Sequence, residues 1–454
     1  MPISWLPVPP VAAFDLLLAV PRQWRMQTTG FDLGIFEQGM RGYAGLGAPV
    51  APLKGVGFDL LGDHFSPLLA LLAPLYRLFP GATTLLVAQA LLLALSCVPV
   101  TALATEVLGR GRGLAVGLAY GLSWGLWRAD SFDFHEVALA VPLTAWALAA
   151  LARGRYRGAV CWALPLLLVK EDQGLMLAGI GIHVFCRGRR RLGAGAVAAA
   201  VLATLLAVLV VVPALNPGGS YTYLANGGWH GGDPLTRLLL PLDKWRTVAL
   251  LLAPTLFLAL RSPLCLLLVP PLAGRFWTPT PSYWGAGQHY NAVLMPVLFV
   301  ALVDALRRLG AGVPVPPARR RPAGVAAGWA PALALLVALG TAPLPCLDPP
   351  GAAVRAVRRI LAVIPDGAAV AAANSLAPQL TARCTVSLFP EFTAPGQAGV
   401  AGRLVARWIV SPDVPGDFPV PRERQLAVLA SLPAAGYRVA AVGGGVTVYR
   451  WGAG

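Results

Sequence analysis

Long apolar runs separated by short polar segments dominate the first three quarters of the chain. Eleven such runs cover 5–21, 82–108, 113–127, 137–152, 158–169, 174–186, 193–213, 247–260, 262–274, 290–306 and 323–344. Several are shorter than the roughly 20 residues that a helix needs to cross a bilayer. Short helices in membranes require protein or a water-filled cavity around their ends. The pattern predicts an all-α polytopic membrane domain of about eleven transmembrane helices.

The positive residues orient this domain, because cytoplasmic loops of membrane proteins carry an excess of Lys and Arg. Arginine clusters lie at 110–112, 153–157, 187–191, 261 and 307–321. With these inside, the loops 22–81, 128–136, 170–173, 214–246 and 275–289 lie outside. The apolar stretch 66–79 must then form an amphipathic helix on the outer surface, ended by Pro80-Gly81. We expect a multi-pass protein of the plasma (inner) membrane with a cytoplasmic N-terminus and an extracytoplasmic C-terminal domain.

The composition changes after the last run. Residues 350–454 hold no run long enough to span a membrane, and their pattern predicts a small soluble α/β unit. The predicted elements are a helix at 352–363, strands at 368–373 and 407–410, a helix at 422–432 and a hairpin at 437–449 that turns at 443–445. The chain thus divides into a membrane domain, 1–345, whose outer loop 22–81 carries surface helices, and a C-terminal domain, 350–454. A linker, 312–322, is rich in Pro and Arg.

Composition excludes other classes. Hydrophobic residues make up 57% of the chain and charged residues 12%, and the mean hydropathy is +0.66. Soluble domains carry about a quarter charged residues, and disordered chains are poor in apolar ones. The net charge of +16 would suggest nucleic acid on a soluble protein. Much of this charge lies between apolar runs, so we expect the lipid bilayer, and no nucleic acid, as a partner.

Polar motifs collect on the predicted outer side. They contain Asp32 and Glu37, then Asp63 and His64, then Asp133, His135 and Glu136, then Lys170, Glu171 and Asp172, and finally His289. Polar side chains are costly in a membrane protein, and they commonly mark functional sites. Their convergence predicts an outward-facing polar site.

Each motif also has a structural interpretation. Asp32 could cap the helix 33–40, and the trio at 170–172 could be a mutually neutralising turn. Ser66-Pro67 is typical of a helix start, which leaves His64 free for function. His230 and Asp233 lie in a glycine-rich loop for which we expect no chemistry. No H-x-x-x-H or C-x-x-C spacing supports a metal site, so we expect no cofactor, although the histidines and carboxylates could ligate a divalent metal.

Several strings resemble a known bacterial family. FDLGIFEQ, GDHFSPLLALLAPLYRLFP, DFHEVALAVP and VKEDQGL occur in that order, followed by IPDGAAVAAANSLAPQLTAR and VSLFP. They resemble the polytopic membrane proteins of domain of unknown function 2079. That family in turn is similar to the GT-C superfamily of membrane glycosyltransferases, which use lipid-phosphate-linked sugars as donors. The resemblance implies a GT-C-like membrane domain.

The GT-C resemblance also implies roles for single residues. Asp32 takes the position of the early catalytic Asp, and the segment 64–68 is similar to a His-Pro-Pro-Leu-like string. Asp133 and Glu136 match a second acidic site, and the Lys170-Glu171 turn also recurs in the superfamily. Glu37, Asp63, His64, His135 and His289 join them as substrate-binding candidates. Arg25, Lys170 and His289 are candidates for binding the leaving phosphate.

The implied function is transfer of a sugar from a polyprenyl-phosphate donor to an extracytoplasmic glycan, lipid or protein acceptor. Two alternatives stay open, namely a transporter or flippase of lipid-linked or polar solutes, and a non-catalytic membrane scaffold. Transporters usually carry internal repeats, and we find none in this sequence. The one-sided polar cluster also favours the enzyme over the transporter.

Overall fold

The computed structural model describes residues 2–223, 233–310 and 327–452. Its first eighteen α-helices are α1 (Val8–Trp24), α2 (Ile35–Ala44), α3 (Ala73–Leu78), α4 (Ala82–Leu95), α5 (Cys97–Leu108), α6 (Arg110–Gly121), α7 (Trp124–Asp130), α8 (Val137–Ala152), α9 (Tyr156–Ala163), α10 (Gly174–Cys186), α11 (Arg190–Leu206), α12 (Val212–Leu215), α13 (Pro234–Leu239), α14 (Asp243–Leu252), α15 (Val269–Trp277), α16 (Pro281–Trp284), α17 (Met295–Arg308) and α18 (Ala330–Thr341). The chain is mostly helical, as its apolar runs predict.

The lengths of these helices differ from the simple expectation of eleven spans. Among the described residues, three continuous helices are long and apolar enough to cross a membrane: Ile3–Trp24, Ala82–Leu108 and Arg190–Leu215. Others are shorter, such as Val137–Ala152 and Tyr156–Leu168. The run 247–260 is interrupted because Leu256 and Phe257 take positive φ angles of 53° and 59°. The eleven crossings therefore stay a prediction, and the beginning of the last run lies outside the described residues.

A buried core joins the helices. In α17, every residue from 295 to 306 is buried, and the helix packs against α5 and α8. The stretch 66–79 is helical as predicted, with a 3-10 turn at Pro67–Leu72 that continues into α3. Ser66 occupies the N-cap position and Pro67 the first turn. Leu71 and Leu78 are exposed, which fits an amphipathic helix.

The C-terminal region contains β1 (Ala369–Ala372), β2 (Thr385–Leu388), β3 (Phe392–Thr393), β4 (Leu404–Val405), β5 (Trp408–Pro412), β6 (Tyr437–Gly443) and β7 (Val446–Trp451), with helices α19 (Ala352–Leu361) and α20 (Arg422–Ser431). The main sheet has the order β2-β1-β5-β7-β6. Strand β1 runs parallel to β2 and β5, and β7 runs antiparallel to β5 and β6. The predicted helices, the two predicted strands and the hairpin are confirmed, whereas β2 and the short β3–β4 pair were not predicted.

This small domain packs directly on the loop 22–81. Ile35, Leu53 and Leu60 of that loop share one buried hydrophobic cluster with Val370 and Leu380 of the C-terminal region. Arg41 in α2 donates hydrogen bonds of 2.6 Å to the carbonyl oxygens of Thr381 and Cys384. The loop and the C-terminal domain therefore lie on the same side of the helical region.

Candidate active site

A cavity of about 1130 Å³ lies between the loop 22–81, the loop that follows α7, the turn before α10 and the segment 271–294. Eight of the ten predicted site residues line it: Asp32, Asp63, His64, His135, Glu136, Lys170, Glu171 and His289. Other polar residues that line the cavity, outside the predicted site residues, include Lys54, Tyr221, Tyr223, Arg275, Tyr283 and Tyr290. Residues from four separate segments thus meet in one place, as their predicted sidedness suggests.

Asp32 is a partly exposed carboxylate that lines the cavity. It lies in the first turn of a π-helical segment, Gly30–Gly34, that leads into α2; the N-cap position of this segment is Thr29 and that of α2 is Gly34. The capping interpretation of Asp32 is therefore wrong. Its Oδ2 atom is 3.4 Å from Nε2 of His135, and 31% of its side chain is exposed. A carboxylate in this setting can accept a proton from a bound molecule.

Two buried histidines support this carboxylate from one side. The rings of His135 and His289 are stacked, with 3.5 Å between their centroids. Burial lowers the pKa of both imidazoles, and their mutual proximity lowers that of His289 further. Both rings are therefore neutral at pH 7. A neutral His289 offers a hydrogen bond to a ligand but no positive charge.

The loop that carries His135 is held by α4. The side-chain amide of Gln89 donates to the carbonyl oxygen of Asp133 at 2.9 Å and accepts from the backbone N–H of His135 at 3.0 Å. Asp133 takes a positive φ of 152°, a conformation that L residues rarely adopt without support. These bonds fix the loop and direct His135 into the cavity.

Asp133 itself does not line the cavity, in contrast to its predicted role. Its Oδ2 atom accepts hydrogen bonds from the backbone N–H and the hydroxyl of Thr29, at 2.9 and 2.8 Å. Burial raises the pKa of Asp133 to about 7, although the bonds from Thr29 oppose this effect. The carboxyl group connects the loop after α7 to the loop after α1, which is a structural role.

Glu37 also points away from the cavity. It is fully buried, and it accepts hydrogen bonds from the hydroxyl of Tyr76 at 3.2 Å and from that of Thr381. Burial raises the pKa of Glu37 to about 7, against the lowering effect of these hydrogen bonds. Glu37 therefore joins α2 to α3 and to the C-terminal domain.

A buried ion pair lies at the turn between α9 and α10. The ammonium group of Lys170 is 2.8 Å from Oε1 of Glu136. Burial alone would raise the pKa of Glu136, but the nearby positive charge, first of all that of Lys170, outweighs burial and lowers the pKa to about 2. Lys170 stays protonated because nearby carboxylates, with Glu136 first, outweigh the effect of its own burial on its pKa. Lys170 thus places a protonated ammonium group at the cavity wall, beside the compensating carboxylate of Glu136.

Glu171 organises the opposite end of this turn. It is 2.7 Å from Nδ1 of His64, and it accepts from the backbone N–H of Phe65 at 2.9 Å and from the hydroxyl of Tyr221 at 2.7 Å. These partners outweigh burial and lower the pKa of Glu171 to about 2. His64 also stacks on Tyr223, with 4.5 Å between the ring centroids. The predicted His64 and Glu171 thus form one pair.

Arg275 is the main cation that the sequence analysis missed. Its guanidinium donates to the carbonyl oxygens of Tyr283 and Tyr290, at 2.6 and 3.1 Å, and to the side-chain oxygen of Asn291 at 3.1 Å. Burial lowers the pKa of Arg275 to about 10, so its guanidinium stays protonated at pH 7, and these three acceptors are neutral. Its position at the end of an apolar run, next to a predicted outer loop, could have indicated that Arg275 lies near the site.

The other candidates fall elsewhere. Arg25 does not line the cavity, and His230 lies outside the described residues. Asp233 caps α13 by accepting from the backbone N–H of Thr236 at 2.8 Å. Lys54 forms an ion pair with Asp63 at the cavity wall. Within the described ranges, no group of three or more His, Cys, Asp or Glu residues is arranged to hold a metal ion.

These features define a mostly helical protein with a polar cavity between its helices and a small α/β domain packed on the adjoining loop. Residues 22–397 match the family model of predicted membrane proteins named DUF2079. The chain therefore belongs to this family, as the sequence strings indicated. No curated protein sequence matches it.

The fold is similar to a solved structure, that of ArnT from Cupriavidus metallidurans bound to undecaprenyl phosphate. The similarity has a TM-score of 0.56 and covers 97% of this chain and 96% of ArnT, with 16% sequence identity. At this identity the similarity concerns the fold. It confirms the predicted GT-C-like fold.

Proposed function

We propose that this protein is a membrane glycosyltransferase that moves a sugar from a polyprenyl-phosphate donor to an extracytoplasmic acceptor. One observation carries the proposal: a single cavity combines an accessible carboxylate, Asp32, with two cations, Lys170 and Arg275, and an apolar wall. The structural similarity to ArnT bound to undecaprenyl phosphate supports a polyprenyl phosphate as the lipid part of the donor.

The donor's phosphate would lie near Lys170 and Arg275. A leaving phosphate needs positive charge or hydrogen-bond donors to stabilise it. The charge of Lys170 is partly compensated by Glu136, whereas Arg275 bonds to neutral oxygens. Apolar lining residues, among them Leu175, Met176 and Leu294, suit the first isoprene units of the lipid. Arg25 and a neutral His289 are less suitable than Arg275.

The chemical step follows from the role of Asp32. An acceptor hydroxyl gives its proton to the Asp32 carboxylate while its oxygen bonds to the anomeric carbon of the sugar. The bond between that carbon and the phosphate oxygen breaks, and its electron pair leaves with the polyprenyl phosphate. A single displacement of this kind inverts the anomeric configuration. General-base assistance typically contributes about 10²- to 10⁴-fold to the rate.

The acceptor would approach from the side of the C-terminal domain. Phe418 of that domain lines the cavity and is 68% exposed, so it lies where the cavity meets solvent. We propose that this side is extracytoplasmic and that the N-terminus is cytoplasmic, in a multi-pass protein of the inner membrane. The acceptor is then a glycan, a lipid or a protein outside the cytoplasm.

The decisive test is Asp32→Asn in purified protein, measured as transfer of labelled sugar from a panel of polyprenyl-phosphate donors. We expect at least a hundredfold loss of turnover, because an amide cannot take the proton. Glu37→Gln is the matched control, since it makes the same carboxyl-to-amide change outside the cavity, and its effect on turnover should be much milder. Near-normal turnover of Asp32→Asn would exclude Asp32 as the base. A parent protein inactive with every donor would favour the transporter or scaffold.

A further inference from the structure

Asn374, which follows β1 of the C-terminal domain, contacts the backbone directly before Asp32. Its carbonyl oxygen accepts from the N–H of Gly30 at 2.7 Å. Its side-chain Oδ1 accepts from the N–H of Phe31 at 2.8 Å. One residue of the C-terminal domain thus binds two successive amides of the segment that carries the candidate base.

These two amides need an external acceptor. They open the helical segment Gly30–Gly34, and the first N–H groups of a helix have no partner within it. The side chain of the N-cap residue, Thr29, does not cap this start. Phe31 also has non-helical angles, with φ −92° and ψ 89°. The direction in which the chain enters the helix, and with it the direction of the Asp32 side chain, therefore depends on Asn374.

Gly30 lies so close to the C-terminal domain that a side chain at this position would contact it too closely. A Cβ atom added at Gly30 would lie 2.9 Å from Cβ of Ala377 and 3.1 Å from Oδ1 of Asn374. The glycine thus allows the two backbones to approach closely enough for both hydrogen bonds.

Asn374 also reaches the cavity wall. Its side-chain amide donates to the carbonyl oxygen of Phe418 at 3.4 Å. The ring of Phe418 packs edge-on against that of Phe31, with 6.4 Å between centroids, and both rings line the cavity. Asn374 therefore connects the Asp32 segment to the exposed aromatic residue at the cavity entrance.

We propose that Asn374 is a positioning residue that holds the Gly30–Phe31 backbone and thereby keeps the Asp32 carboxylate beside His135. The catalytic consequence rests on the proposed function, whereas the hold on the backbone does not. The C-terminal domain is, in this view, a part of the active site that completes the geometry of the base.

The test compares two substitutions of similar size with a control. Asn374→Leu removes the side-chain acceptor, and Asn374→Asp keeps it. Gln379→Leu removes another bond of this domain, the one from the Gln379 amide to the carbonyl oxygen of Gln23 at the end of α1. A misplaced catalytic group can cost about a hundredfold in rate. We expect Asn374→Leu to lower kcat about 10- to 100-fold while KM for the donor changes less than about threefold, and Asn374→Asp and Gln379→Leu to keep most of the turnover.

Hydrogen–deuterium exchange provides a second readout. It requires no enzymatic activity, and it can be measured on the fraction of the Asn374→Leu variant that folds. The amide of Phe31 should exchange about tenfold faster in Asn374→Leu than in the parent, with no such change in Gln379→Leu or Asn374→Asp. Unchanged exchange at Phe31, or equal losses of kcat in the Leu and Asp variants, would overturn the positioning role. If the parent transfers no sugar but exchange at Phe31 still accelerates, the proposed function fails while the hold of Asn374 on this segment stands.

Discussion

Replacing Lys170 with Met should destabilise the protein through Glu136. The Glu136 side chain is fully buried, and the Lys170 ammonium lies 2.8 Å from its Oε1 atom. Methionine fills a similar volume and leaves the carboxylate buried without its cation. Because methionine is uncharged, the Glu136 carboxylate stays buried but loses its compensating cation. This destabilises mainly the folded state.

The size of the effect follows from the pKa of Glu136. A pKa lowered from 4.5 to about 2 corresponds to about 3 kcal/mol of stabilisation, an order-of-magnitude figure. Removing one partner of a buried ion pair costs about 3–5 kcal/mol, which agrees. In the parent, a lowered carboxyl pKa gives stability that is present above pH 4.5 and is lost as the pH falls toward 2. Without Lys170, burial raises the pKa of Glu136, so the penalty of the variant should grow as the pH rises from 4 to 8.

The assay is thermal unfolding in detergent, followed by intrinsic tryptophan fluorescence at several pH values. We expect Lys170→Met to lower Tm at pH 8 by about 5 °C or more and by much less at pH 4. The double variant Lys170→Met/Glu136→Gln should recover most of the loss, because no buried charge remains. Its transferase activity should not recover if Lys170 binds phosphate. A Tm loss that is independent of pH, or that the double variant does not repair, would refute this reasoning.

Two further predictions concern buried charge and topology. Burial raises the pKa of Glu37 from 4.5 to about 7, so its contribution to stability is present below pH 4.5 and is lost as the pH rises through 7. As the pH rises from 5 to 8, the free energy of unfolding of Glu37→Gln should therefore increase relative to that of the parent by up to about 3 kcal/mol. The measurement is the Tm difference between variant and parent at the two pH values. A difference that does not change with pH would contradict the burial argument. A reporter that functions only in the cytoplasm, fused after Gly454, should stay inactive, whereas clear activity would reverse the proposed topology.

Part of the candidate site was predictable because its residues belong to loops that are predicted to lie on the same side of the membrane. Asp32, His64, Lys170 and His289 belong to loops that the arginine clusters assign to one side, and the structure brings them into one cavity. Sidedness is a property of each loop, so local charge and hydropathy suffice to assign it. Local charge and hydropathy do not predict the contacts within the cavity.

Local sequence could not separate Asp32 from Glu37. Five residues apart on a helical path, at about 100° per residue, their side chains point to nearly opposite sides. One therefore faces the cavity, and the other faces Thr381 of the C-terminal domain. Which of the two side chains faces the cavity and which faces the C-terminal domain depends on how that domain packs. The same holds for Asp133, whose partner Thr29 lies 104 residues earlier.

The sequence by itself predicted most of the helices, part of the C-terminal strands and the convergence of several polar loops. Apolar periodicity and the cost of burying charge act within a few residues, so helices, the C-terminal strands β1 and β5 and the position of the polar loops follow from short segments. Tertiary packing alone decided the pairings, because the partners come from distant parts of the chain. The bond between Asn374 and Phe31, for example, joins residues 343 positions apart, and it forms because the C-terminal domain and the loop 22–81 bury a common hydrophobic cluster.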